Sequence, residues 1–304
     1  MLRTLSSIEN ALADLPHTSD RGRPLKFLAV PGREATRWLI PENGRGLDAV
    51  LAQWSPYRLS SRIKWHAIRA ANRLTMLRCL PSATPIELQN ADRIDWRAMG
   101  WDHSEAPGLA IYIGTPGPAR KAVVHLVSPQ ALGCEAVLKL PLASGAKQAI
   151  LREGQTLGAL ADERCSLSPR LLFLDRARGV SMQQFVAGRP GSRRLRPEYL
   201  DLLRSLMLDE RVTLAAYANE WEKQTGLLPE RDAETMRAAL EQLNDDTPLP
   251  ACWLHGDFAP WNVRDRQNLP SALIDWEEGK RGGLPLLDAF HFLHIQDFLF
   301  GGEA

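Results

Sequence analysis

Between Cys252 and Glu277 the chain alternates short apolar runs with polar residues at fixed positions. Trp253-Leu254 leads into His255-Gly256-Asp257, and Asn262 follows five residues after the aspartate. Leu273-Ile274 then leads into Asp275-Trp276-Glu277. Each run is too short for a helix and is bounded by Gly, Pro, Asp or Asn, so the segment predicts strand, loop, strand. A chain built around it has to be a mixed α and β protein whose two carboxylates and one amide ride on loops at strand ends.

At 304 residues there is room for two domains, or for one bilobal domain with an extension. A hydrophobic fraction of 44% with 24% charged residues is enough to bury a sizeable core. The formal net charge of +1 gives no global case for a nucleic-acid partner. Cys79, Cys134, Cys165 and Cys252 form no CxxC pair, which suggests neither a disulfide framework nor a zinc site and fits a reducing cytosol. Glu9, Asn10 and Asp14 fall where an apolar signal region would have to lie. No apolar run reaches the ~18 residues of a spanning helix, so the expected location is cytoplasmic.

Three regions follow from composition: 1–105, 106–188 and 189–304. The first opens with a short helix and two candidate strands, Leu25–Val30 and Arg37–Ile40. A helix is expected over Ser60–Arg78, capped by Ser60 or Ser61 and ended by Pro81 and Pro85. Ile63, Ala67, Ala70, Leu74 and Leu77 predict its buried stripe. The second region reads as strands Leu109–Ile113, Lys121–Val127 and Glu135–Leu140, a helix Ser144–Leu160, and strands Arg170–Leu174 and Val180–Val186. The third reads as helical apart from the segment already described, with Asp232 capping a helix that buries Met236, Leu240 and Leu243. Leu202, Leu206, Leu214 and Tyr217 are placed on earlier helices, and a last helix on Leu286–Phe300.

Asp257, Asn262 and Asp275 supply the groups that phosphoryl transfer from a nucleotide requires. One carboxylate accepts the proton of the attacking hydroxyl, while an amide oxygen and a second carboxylate hold magnesium. Asp and Asn also favour turns, so a capped turn is the plainer reading of Asp257 and Asn262. The order of parts resembles the aminoglycoside phosphotransferase and choline-kinase-like family, relatives of the protein kinases. His-Gly-Asp-x-x-x-x-Asn and Ile-Asp-Trp-Glu carry that resemblance. It implies a bilobal α+β fold, with a small β-rich lobe and a helical lobe, preceded here by an α/β extension.

The resemblance further implies ATP (with GTP as the alternative) and Mg2+ as cofactors and a small-molecule hydroxyl as acceptor. Asp257 becomes the catalytic base or the group that orients the hydroxyl, Asn262 and Asp275 the magnesium ligands, and His255 a structural member of the loop. Lys139, on the third strand of the second region, is expected to hold phosphates with Glu153 of the next helix as its partner; a solvent-facing edge lysine is the other reading. Gly114 and Gly117 lie where a phosphate-covering loop belongs, although Pro116 and Pro118 remove N–H donors and an ordinary hairpin turn fits as well. Gln184-Phe185-Val186-Ala187-Gly188 becomes the linker whose backbone reads the base, with Gln184 and Val186 as contacts. Asp288 matches a position that braces the catalytic loop, against plain helix capping. Glu277 and Glu278 are either outer members of the metal site or a solvated acidic turn. His291 and His294 are assigned to packing.

Residues 20–78 are locally basic, with Arg21, Arg23, Lys26, Arg33, Arg37, Arg45, Arg58, Arg62, Lys64, Arg69, Arg73 and Arg78 interleaved by Trp38, Trp54, Tyr57 and Trp65. Such a surface can hold nucleic acid, anionic lipid or a phosphorylated glycan; a solvated face with tryptophans packed inward is the plainer alternative. Two readings of function stand: a kinase for a sugar or sugar-containing metabolite, and an inactive nucleotide-binding scaffold that docks a partner through the basic region. Oligomeric state is not encoded in any recognisable pattern.

Overall fold

A computed structural model describes residues 2–18, 23–32, 36–42, 47–54, 56, 59–80, 83–89, 91–130, 133–242 and 245–301. In chain order the elements begin α1 (Leu2–Ala13), β1 (Leu25–Val30), β2 (Trp38–Pro41), α2 (Leu47–Ala52), α3 (Leu59–Arg73) and β3 (Thr84–Leu88). There follow β4 (Gly108–Ile113), β5 (Lys121–Val127), β6 (Cys134–Pro141), α4 (Ala146–Asp162), β7 (Leu171–Asp175), β8 (Val180–Gln184) and β9 (Arg189–Pro190). The chain continues with α5 (Pro197–Arg204), β10 (Met207–Thr213), α6 (Leu214–Thr225), α7 (Glu230–Glu241) and β11 (Pro248–Leu254). It ends with β12 (Val263–Asp265), β13 (Ala272–Leu273), β14 (Lys280–Gly283) and α8 (Leu287–Phe300). The protein is of the mixed α+β class.

Two compact units divide the chain: 1–190 with 264–277, and 191–263 with 278–304. In the first, an eight-stranded sheet runs in the order β3-β1-β2-β4-β5-β6-β8-β7. The sheet passes through residue 105 without a break, because β2 pairs with β4 through Trp38↔Tyr112 and Leu39↔Ile111. Strand alternation then sends side chains to two cores. Ala122, Val124 and Leu126 join Ile8 and Leu12 of α1 in one; Val127 joins Trp38, Leu51 and Trp65 in the other. A smaller sheet, β13-β12-β9, completes this unit.

The strands of the second region form within a residue or two of expectation, since period-two burial and Gly/Pro turns mark both ends. The face of α3 differs from expectation. Ile63 is 63% exposed and Leu74 65%, Ala67 and Ala70 are exposed, and only Leu77, beyond the helix, is buried. The inward stripe is Trp65, Ile68 and Asn72, because one large indole buries more area than several alanines. The helix ends at Arg73, ahead of Thr75 at φ 57, and so before the prolines. Its start at Leu59 puts Ser60 and Ser61 inside it rather than at the cap.

In the second unit, β10, β11 and β14 form an antiparallel sheet. β10 was expected to be helical, but Met207–Thr213 pairs with Pro248–Cys252, a long-range partner that local patterning does not reveal. Pro229 caps α7, leaving Asp232 in its first turn; Met236 and Leu240 are half-buried, while Leu243 lies outside the described residues. Tyr199, Phe258 and Phe292 are fully buried and pack edge-to-face or tilted, with centroids 5.3–6.4 Å apart.

Candidate active site

The residues singled out in the sequence fall into two groups, one in each unit. In the first unit, β6 presents Lys139 and α4 presents Glu153. Both are buried, Lys139 at 6% exposure and Glu153 at 0%. The Lys139 ammonium donates to both Glu153 oxygens at 2.6 Å and to Asp275 Oδ1 at 2.8 Å. A buried charge costs several kcal/mol unless it is paired, so these three residues account for one another. Asp275 sits at φ 67, a backbone region that aspartate tolerates better than most residues.

The cluster has a fourth member that no motif in the sequence marks. Lys121, the first residue of β5, donates to Asp275 Oδ1 at 2.8 Å and to Glu277 Oε2 at 2.5 Å. Burial works against its charge, but Asp275, Glu153 and Glu277 outweigh burial and raise its pKa. Asp275 shows the opposite balance: burial disfavours its charge, yet Lys121 and Lys139 hold its carboxyl well below the usual range. For Glu277, burial and the neighbouring Asp275 push the pKa up against the pull of Lys121. The only sequence cue for Lys121 was a charged residue opening an otherwise apolar strand.

The turn before Lys121 is a hydrogen-bonded hairpin. Gly114 N–H donates to Lys121 O at 2.9 Å, Arg120 N–H to Gly117 O at 3.2 Å, and Gly145 N–H to Pro118 O at 2.9 Å. A Cβ on Gly114 would meet Lys121 O at 2.9 Å, so the residue is glycine for close approach. At the other end of the sheet Gln184 is exposed, with its N–H given to Arg170 O. The Val186 carbonyl, expected to face a base, accepts a 2.7 Å bond from Gln53 Nε2.

On the same sheet, Trp54 packs on Tyr112 at 4.6 Å and on Trp38 at 5.8 Å, and Trp38 stacks on His125 at 5.8 Å. Burial lowers the His125 pKa to about 4. The tryptophans of the basic region are thus packed inward. Arg69 and Arg73 pair with Asp48, and Arg78 pairs with Glu42. Arg21, Arg33, Arg45, Tyr57 and Arg58 lie outside the described residues.

In the second unit, β11 delivers His255-Gly256-Asp257. Asp288, at the start of α8, accepts from His255 N–H at 2.7 Å and from Gly256 N–H at 3.0 Å. Leu286 caps that helix, so Asp288 braces the loop instead of capping. Gly256 has φ 79, and a Cβ there would lie 2.5 Å from Glu278 O, which excludes other residues. The His255 ring is fully buried, and its Nδ1 accepts the Asp257 N–H at 3.3 Å. Asn262 Nδ2 donates at 2.9 Å to both Asp257 O and Asp257 Oδ2. His291, assigned to packing from the sequence, places Nε2 3.2 Å from Asp257 Oδ1. The hydrogen bond to Asp257 raises its pKa against burial. Spacing along α8 carried no sign of this, since the partner is 34 positions away.

Residues 116–297, well over half of the chain, match the family described as Phosphotransferase enzyme family. The chain belongs to that family. It is accordingly a phosphotransferase. Among solved structures, this phosphotransferase is similar to an aminoglycoside phosphotransferase from Streptomyces rimosus, at 18% identity over 64% of this chain and 80% of that one, TM-score 0.40. It is also similar to a choline/ethanolamine kinase family protein from Mesorhizobium loti, at 21% identity over 69% and 74%, TM-score 0.39. A third is the choline kinase LicA from Streptococcus pneumoniae, at 16% identity over 62% and 68%, TM-score 0.42. Among curated proteins no match was found. No helix among the described residues is long and apolar enough to cross a membrane.

Proposed function

We propose that this phosphotransferase moves the terminal phosphoryl group of ATP to a hydroxyl of a sugar or sugar-containing metabolite, with Mg2+ as the required ion. The observation that carries this reading is the ion-paired set of buried Lys139 and Glu153 with half-buried Asp275. Lys139 holds phosphate oxygens, and Glu153 keeps its ammonium aimed. Asp257 receives the proton of the acceptor hydroxyl as the oxygen attacks, while Asn262 and His291 fix its carboxylate. Gln184 and Val186 border the base, and Gly114 and Gly117 the phosphates.

The donor set suits magnesium, a hard cation that takes oxygen ligands. Asn262 turns its amide nitrogen to Asp257, leaving Oδ1 without a hydrogen bond among the described residues. Asp275 uses only Oδ1, leaving Oδ2 likewise. When bound, magnesium neutralises charge on the polyphosphate. Positioning by the protein accounts for most of the remaining acceleration.

The test is magnesium-dependent ATP turnover against a panel of sugar and amino-alcohol acceptors, for wild type, Asp257→Ala and Asp275→Ala. Loss of at least ~10²-fold in both variants is expected; turnover indifferent to both changes refutes the assignment. One observation favours the scaffold reading instead: the Val186 carbonyl is already engaged by Gln53. Under that reading nucleotide binds without metal, and no acceptor in the panel is phosphorylated.

A further inference from the structure

We propose that Lys121 is a built-in cation of the phosphate site, taking the place of one divalent metal ion at the Asp275 carboxylate. The proposal rests on the phosphotransferase reading above and concerns a residue to which that reading gives no task.

Three observations lead to it. First, Lys121 and Lys139 converge on a single oxygen, Asp275 Oδ1, each at 2.8 Å. Lys121 also reaches Glu277, so its ammonium bridges two carboxylates as a bound metal ion would. Second, the lysine side chain is only 13% exposed. A strand-end lysine normally sends its charged head to water at little cost, and this one is turned inward. Third, the preceding hairpin is poor in donors for an anion. Pro116 and Pro118 have no N–H, and the Gly114 N–H is spent on Lys121 O. Arg37 and Arg120 bring positive charge to the hairpin itself, donating to Ile113 O, Thr115 Oγ1 and Gly114 O, and Lys121, the first side chain after the turn, carries a further charge inward to Asp275.

The charge count decides how many metal ions the group accepts. Among the side chains joined by these ion pairs, Lys121 and Lys139 stand against Glu153, Asp275 and Glu277, a formal balance of −1; Arg152, on the Glu277 carbonyl, adds positive charge at the rim. One divalent cation makes that balance positive, which suits an incoming polyphosphate. A second would sit beside two ammonium groups in a setting where like charges a few ångströms apart repel strongly. Without Lys121 the balance is −2 and one carboxylate oxygen more is open, so a second ion is accommodated.

The experiment counts Mn2+ bound per chain by electron paramagnetic resonance, with and without a non-hydrolysable ATP analogue. It compares wild type, Lys121→Met and Lys121→Arg, each checked for folding by circular dichroism. Wild type and Lys121→Arg are expected to bind one tight Mn2+ per chain. Lys121→Met is expected to bind two, or to bind the first at least ~10-fold more tightly. Two ions in wild type, or the same count and affinity in wild type and Lys121→Met, overturn the proposal. If Lys121→Met fails to fold, Lys121→Gln, which keeps a polar head without the charge, takes its place. There, the same one-ion expectation for wild type and two-ion or tighter expectation for the charge-free variant apply to Lys121→Gln, and two ions in wild type, or an unchanged count and affinity in Lys121→Gln, overturn the proposal. Failure of the phosphotransferase reading shows separately, as absence of analogue binding in every variant, while the nucleotide-free Mn2+ count still reports on Asp275.

Discussion

Replacing Asp288 with alanine removes both acceptors that hold the turn at His255-Gly256, and the geometry sets the size of the loss. The carboxylate is buried and takes two backbone N–H groups, at 2.7 and 3.0 Å. Hydrogen bonds to a charged acceptor contribute about 1.5–3 kcal/mol each, so the pair is worth about 3–6 kcal/mol. Water entering the gap recovers part of this, which puts the expected loss near 3 kcal/mol. For a protein of this size that corresponds to a fall in melting temperature of roughly 5 °C. Asp288→Asn keeps one acceptor oxygen without its charge, and about half the loss is expected. Thermal and urea unfolding measure both variants, and amide hydrogen exchange reports the two N–H groups directly. Turnover should fall as well, because Asp257 follows immediately after the braced glycine, and small misplacement of a reacting group costs up to ~10²-fold. A loss below about 1 kcal/mol, or unchanged protection of the His255 amide in Asp288→Ala, refutes the bracing role.

Lys139→Met leaves Glu153 charged and fully buried, and should cost about 3–5 kcal/mol; Lys139→Met with Glu153→Leu should recover much of it, as read by urea denaturation. His125 is neutral in the fold, with a pKa lowered to about 4, whereas its unfolded counterpart titrates near 6.5. The unfolded state therefore binds the extra proton first, and stability should fall by about 3 kcal/mol as pH drops from 6.5 to 4. His125→Phe should flatten that segment of a stability–pH curve. His291 shows the reverse sign. Its pKa is raised by Asp257, so its contribution is complete below pH 6.5 and is lost as pH rises through the higher folded value. The NMR titration of His291 should move back toward 6.5 in Asp257→Asn, and an unmoved titration rules out the pair.

The sequence patterns that proved readable were those enforced by neighbours a few residues away. β4 to β8 emerged because alternation and turn residues act locally, and Lys139 with Glu153 emerged because strand and helix follow in order. Reading failed where tertiary contact decides. The inward face of α3 is set by Trp65 docking on Trp38, which no count of apolar positions weighs correctly. β10 exists only through a partner some forty positions later. Lys121 and His291 gained their places in the site from carboxylates 154 and 34 positions away. The bond from Gln53 to Val186 spans 133 positions, and nothing in either local sequence anticipates it.

The continuous eight-stranded sheet separates two kinds of boundary that are usually assumed to agree. The family match opens at residue 116, inside the turn that joins β4 to β5. Six consecutive residues of β4 pair across that line, and β1, β2 and β3 lie wholly before it. A fragment cut there would present β5 as a bare edge, the kind of surface on which chains aggregate. The segment shared by descent is therefore shorter than the segment that has to fold.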